Sequence, residues 1–170
     1  MADKATSNLT ASVLSSLSKA GMSGSLNYEP VDSSEKWLYR ELIVDATSAA
    51  LLPAGIQYEE RYVRADGVET ETATGDLVRW IAIKHSGTTN GTTATSEGIV
   101  VSLAATGNAA YNEVEGVFID SGDIWIAKLP ATSLASIGAA TVVVTNGTPT
   151  AVGTGDVLVQ VAAIIDDISE

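Results

Sequence analysis

Histidine is the side chain best suited to moving protons near neutral pH, and this chain has one, His85. It follows the apolar run Trp80-Ile81-Ala82-Ile83-Lys84, the setting of an exposed or hydrogen-bonded strand-end histidine more than of a base beside a nucleophile. Covalent acyl chemistry needs more than this: there is no Gly-x-Ser-x-Gly elbow, and cysteine is absent, which also excludes disulfides and thiolate metal sites. Carboxylates are plentiful, and Glu59-Glu60, Glu113 with Glu115, and Asp166-Asp167 are the pairs that could divide acid and base roles. Adjacent residues of a strand point to opposite faces, so Glu59-Glu60 and Asp166-Asp167 would not converge on one bond. Glu113 and Glu115 could share a face, but a glycosidase also needs a sugar-stacking cleft, and Trp37, Trp80 and Trp125 with one Phe offer little for one. Asp120-Ser121-Gly122-Asp123 and Asn112-Glu113-Val114-Glu115 supply hard oxygen ligands without the spacing of a helix-loop-helix calcium site. Neither glycine-rich phosphate cradle occurs. The chemistry points away from an enzyme, and no cofactor is expected.

Contact residues are easier to find. Trp37, Tyr39 and Arg40 stand close together, and aromatic-plus-Arg composition is enriched at protein–protein contacts; Trp37 is read as an interface anchor, with a core position as the alternative. Upstream, Leu9, Val13, Leu17 and Ala20 recur at helical spacing, with Ser7 or Asn8 available as N-cap and Gly21 as the stop. The spacing predicts a short amphipathic helix over residues 7–20, with a frayed tail as the alternative. Its apolar stripe is thin, so Leu9, Val13 and Leu17 must dock on a partner for the helix to persist. Gly21, Ser23, Gly24 and Ser25 read as a flexible joint.

The elements that would position these residues change character after Lys36. Short apolar runs rich in Val, Ile and Thr predict strands near 36–45, 56–64, 77–85, 97–103, 114–120, 123–129, 140–145 and 156–165. That pattern implies an all-β domain, a β-sandwich or barrel of jelly-roll-like type, spanning residues 36–170 behind an N-terminal arm and linker of residues 1–35. Asp66-Gly67, Asn90-Gly91 and Asn146-Gly147 tolerate the positive φ of tight turns. Ser121-Gly122 separates Val117–Ile119 from Ile124–Ala127 and predicts a hairpin. Gly75-Asp76, Gly122-Asp123 and Gly155-Asp156 each launch an apolar run, with Gly turning the chain and Asp bonding nearby amides. Residues 86–96 contain only Ser, Gly, Thr, Asn and Ala, and form a loop.

Charge narrows the partners. The formal net charge of −12 repels phosphate backbones and anionic headgroups, so neither nucleic acid nor membrane is an expected partner. No run approaches the roughly 18 to 20 apolar residues of a membrane span, and the polar residues Thr6 to Ser16 break any signal-peptide core.

The polar Ala/Ser/Thr/Gly-rich arm (residues 2–27), the Cys-free acidic β domain, and the segments Ser121-Gly122-Asp123-Ile124-Trp125-Ile126-Ala127 and Gly153-Thr154-Gly155-Asp156-Val157-Leu158-Val159 together resemble the small decoration, or cement, proteins on the heads of tailed bacteriophages. The resemblance implies a homo-oligomer, commonly a trimer, on the outer capsid surface of the virion, bound to the major capsid protein where subunits meet, with the arm reaching across neighbours. A tail-fibre, baseplate or host-attachment protein would share the Thr/Gly-rich β character and grip a receptor through the 86–96 loop. A metal-dependent hydrolase is disfavoured by the shortage of histidine.

Overall fold

A computed structural model describes residues 5–12, 21–31, 34–47, 49–58, 71–102, 116–134, 137, 139–145 and 149–168. The fold is nearly all β, with no α-helix among the described residues. Its strands are β1 (Ala5–Ser12), β2 (Gly21–Tyr28), β3 (Glu35–Val44), β4 (Ala49–Ala50), β5 (Leu77–His85), β6 (Gly98–Ser102), β7 (Gly116–Ile119), β8 (Ile124–Ser133), β9 (Ala139–Thr145), β10 (Pro149–Val152) and β11 (Val157–Asp166).

Two antiparallel sheets carry the domain. One has the order β3-β11-β5-β8; the other runs β10-β9-β6-β7, with the short β4 also paired to β9. A separate two-stranded hairpin, β1-β2, precedes them in the chain.

The main core draws on both sheets, and the two-residue period of the strands decides which side chains enter it. Along β11, Val157, Val159, Val161, Ala163 and Ile165 join this core, together with Leu38, Ile81 and Ile83 from neighbouring strands and Ile99, Val101, Ala140 and Val142 from the other sheet. Each fully buried Val or Ile contributes about 1.5–3 kcal/mol relative to exposure. Ile164, from the opposite set on β11, is equally buried but belongs to a second, smaller cluster with Trp80. Pro130 lies in β8, an edge strand, where a missing N–H removes no ladder bond from the interior of the sheet.

The expected strands from 77–85 onward, and the one near 36–45, reappear within a few residues at each end, apart from a longer β8. The Gly-Asp pairs precede strands that begin at Leu77, Ile124 and Val157, as expected, and Asp76 Oδ2 accepts the amide of Ala73 at 2.7 Å. Two expectations need correction. Residues 7–12 of the predicted helix lie in β1, paired antiparallel with β2 from Ala5↔Tyr28 to Ser12↔Gly21; residues 13–20 lie outside the described residues. A segment dominated by Ser, Thr and Asn has little helical preference to set against a complete ladder of backbone bonds. The predicted Ser121-Gly122 hairpin is a turn, with Gly122 at φ 84° and the Asp123 amide donating to the Asp120 carbonyl at 3.0 Å. However, β7 pairs with β6 and β8 pairs with β5, so the turn carries the chain from one sheet to the other. Most of the 56–64 strand and the Asp66-Gly67 and Asn146-Gly147 turns lie outside the described residues.

Candidate interaction surface

Register sorts the outward face of the β3-β11-β5-β8 sheet into rows. Trp37, Ile164, Trp80 and Lys128 form one row, Tyr39, Ala162, Ala82 and Ile126 the next, and Glu41, Gln160, Lys84 and Ile124 a third. The hairpin covers the first row. Leu26 and Tyr28 of β2 pack on the Trp80–Ile164 cluster, Trp37 meets Trp80 edge-on at 5.6 Å between ring centroids, and the Lys128 ammonium lies 5.5 Å from the Tyr28 ring centroid. Such an aromatic pair contributes roughly 0.5–1.5 kcal/mol beyond its buried area.

In the second row Ala82, Ala162 and Ile126 are half-buried against the Trp80–Ile164 cluster and Tyr39 is exposed; the third row is more open. Tyr39, Ile43 and Ile124 are 50%, 48% and 55% exposed, while the small side chains of Ala82 and Ala162 lie between the outer strands. Glu41 Oε1 accepts the Tyr39 hydroxyl at 2.8 Å and the Gln160 amide at 2.7 Å. The Gln160 and Tyr39 hydrogen bonds hold the Glu41 carboxyl below its ordinary range, and the Glu41 bond raises the Tyr39 phenol.

The residues singled out from the sequence are therefore not gathered on one face. Trp37 is committed to a contact within the chain, and Tyr39 faces outward in the neighbouring row. Arg40 belongs to the opposite set, where Nη1 donates to the Leu51 carbonyl at 3.2 Å and desolvation lowers its pKa, leaving a cation at any physiological pH. Leu9 lies in β1; Val13 and Leu17 lie outside the described residues. Leu26, Tyr28, Ile43 and Ile124 were not singled out, although Leu26 and Tyr28, flanked by Ser25, Asn27 and Glu29, already carried a period-two signal.

At one end of the same sheet lies a polar cluster. Glu35 accepts the Tyr28 hydroxyl and the Val31 amide, and Arg79 bridges Asp166 while its Nε approaches Glu35 at 3.6 Å. Burial, then the Glu35 hydrogen bond, pushes the Tyr28 phenol well above its ordinary value; the Asp166 bond raises Arg79. Asp166 and Asp167 take different partners on different strands, the divergence expected of adjacent strand residues. Asp167 meets Lys36 at 2.7 Å, with both side chains almost fully buried.

His85 is fully buried. Its Nδ1 accepts the Gly87 amide at 2.9 Å, which leaves Nε2–H to donate to the Glu97 carbonyl at 2.8 Å. Both ring nitrogens are thus engaged by backbone, and desolvation depresses the pKa against the opposing pull of the Glu97 carbonyl, Asp120 and Asp123. A depressed folded-state pKa means that, as pH falls below about 6.5, the unfolded chain binds a proton that the native ring refuses. Native stability should drop by about 1.4 kcal/mol per pH unit from this group until the folded-state pKa is reached. In urea titrations between pH 7 and 5, His85→Gln, which keeps one donor and one acceptor, should show a flatter pH dependence than the unaltered chain; equal slopes would refute the assignment.

The His85 bonds also anchor the 86–96 loop. Asn90 Oδ1 accepts the amides of Thr92 and Thr93, Thr89 and Thr93 are backbone-bonded, and Ser86 and Thr88 hydrogen-bond the backbone of Leu158 at the start of β11. Among the described residues no group of three or more His, Cys, Asp or Glu could hold a metal. Glu59-Glu60 and Glu113 with Glu115 lie outside the described residues. Comparison with protein-family models, curated proteins and solved structures finds no match.

Proposed function

We propose that this chain is a non-catalytic virion structural protein that decorates a phage head from outside, a homotrimer bridging neighbouring copies of the major capsid protein. The carrying observation is the strand order. Leaving aside β10 and the hairpin, the pairings β3–β11, β4–β9, β5–β8 and β6–β7 are nested, first strand with last and inward to the middle. Nested pairing over two sheets is how a jelly-roll sandwich is wound, an architecture used by viral capsid and lectin domains. The link from fold to function is analogy, and the site adds to it: an added hairpin on one sheet face beside exposed Tyr39, Ile43 and Ile124, and a histidine held by backbone on both nitrogens.

Weak contacts repeated over a lattice multiply through effective concentration, so the arm matters out of proportion to its size. Full-length protein should bind empty heads, and deletion of residues 2–25 should weaken binding about a hundredfold or more while the far-ultraviolet circular dichroism stays strand-like. Undiminished binding by the deleted chain would remove the arm from the reading, and no binding by full-length protein would remove the capsid. The ordered 86–96 loop favours a second reading, host attachment, in which binding to cells would depend on those residues.

A further inference from the structure

The Lys36–Asp167 contact joins the first and last strands of the nested sheets, and its surroundings differ from those of an ordinary surface ion pair. Lys36 Nζ lies 2.7 Å from Asp167 Oδ2, with side chains 5% and 2% exposed. Along β11 the residues that enter the main core are Val161, Ala163 and Ile165, and Asp167, just past the strand, is the next position of that alternation. On the β5 side of β11, Asp166 pairs with Leu77, so one further step of the same register reaches Asp76.

Asp76 is fully buried; its Oδ2 accepts the Tyr58 hydroxyl at 3.0 Å and the Ala73 amide, and its Oδ1 has no hydrogen-bond partner among the described residues. The Tyr58 ring that reaches Asp76 also lies beneath the Lys36 ammonium, 5.4 Å from Nζ to centroid. An amine, a carboxyl group in contact with it and a second acid with a spare oxygen are therefore enclosed in surroundings that disfavour separated charges.

We propose that Lys36 and Asp167 condense into an intramolecular amide that ties β3 to the end of β11. Lys36 Nζ forms a bond to Asp167 Cγ, one Cγ–O bond of Asp167 breaks, and the departing oxygen leaves as water with two protons that began on the ammonium. Asp76 acts as the proton carrier, taking a proton through its free Oδ1 and returning it to the departing oxygen. No oxidant, metal or further reactant enters the balance. The inference is independent of the capsid reading, since it concerns only the chain's own covalent structure.

The test is the intact mass of the purified full-length chain, unfolded before measurement. The expected mass is one water molecule below that of the sequence, and proteolysis should release a branched peptide joining the Lys36 and Asp167 segments. Lys36→Arg and Asp167→Ala should each restore the full sequence mass. Asp76→Asn keeps an acceptor for Tyr58 and Ala73 but carries no proton, and should slow amide formation about a hundredfold at unchanged circular dichroism. A folded, unaltered chain that retains its full sequence mass after prolonged incubation overturns the proposal, as does a water loss mapped to ring closure at Asp66-Gly67. Because the deciding measurement is on the unaltered chain, a variant that fails to fold leaves the test intact.

Discussion

Trp80→Ala is expected to lower stability by about 3–5 kcal/mol, the range for removing a buried indole from a packed site. The effect should be largest here because Trp80 is shared by two layers: its ring is buried between Ile164 of its own sheet and the Leu26–Tyr28 side of the hairpin, with Trp37 against its edge. Loss of the ring should also loosen the hairpin, so limited proteolysis within residues 5–28 should accelerate before the domain unfolds. Trp80→Phe separates packing from polarity. Trp80 Nε1 is buried without a hydrogen-bond partner among the described residues, a state that costs roughly 1–3 kcal/mol, and phenylalanine removes that donor along with part of the ring. The two changes oppose each other, so Trp80→Phe should stay within about 1.5 kcal/mol of the unaltered chain in urea unfolding. A Phe variant as unstable as the Ala variant would show that the indole nitrogen has a partner after all.

Asp167→Ala is the second large effect. Before the Lys36–Asp167 amide forms, it removes the carboxylate in contact with the buried Lys36 ammonium, and breaking a buried pair from one side costs about 3–5 kcal/mol; once the amide has formed in the unaltered chain, loss of the tie adds to that difference. Lys36→Met leaves the buried Asp167 carboxylate without that cation and should cost about as much, whereas the double change Lys36→Met with Asp167→Leu removes both charges and should be milder than either single one. Chemical denaturation of the single and double variants side by side gives the comparison; a double variant as unstable as either single one would mean that the geometry of the pair, and not an uncompensated charge, dominates.

The sequence made the strands of the domain legible because alternation and turn chemistry act locally. Gly-Asp before Leu77, Ile124 and Val157 marks three strand starts, and β5 occupies the predicted 77–85 span. Pairing was less legible. Ser121-Gly122 specifies that the chain reverses, but whether the flanking strands then share a ladder or pass to different sheets depends on distant partners: β5 for β8 and β6 for β7. The hairpin was missed for a related reason. Leu9, Val13 and Leu17 fit a helical period, yet the Ser/Thr/Gly composition of the arm gives that period little weight against β2. Tyr39 was found and its neighbours Ile43 and Ile124 were not, since only the register of adjacent strands places them on one surface.

The antiparallel pairing of β3 with β11 has a mechanical consequence. Glu35 faces Asp166, so the chain enters the first strand and leaves the last at the same corner of the sheet. Tension applied through those two points would open the ladder one rung at a time, like a zip, instead of loading all its rungs together. Lys36, opposite Ile165, and Asp167, one residue past the ladder, meet beside the first rung of that zip. A covalent tie at this place would resist tearing where the pull first acts, and would shield every residue between Lys36 and Asp167 from it.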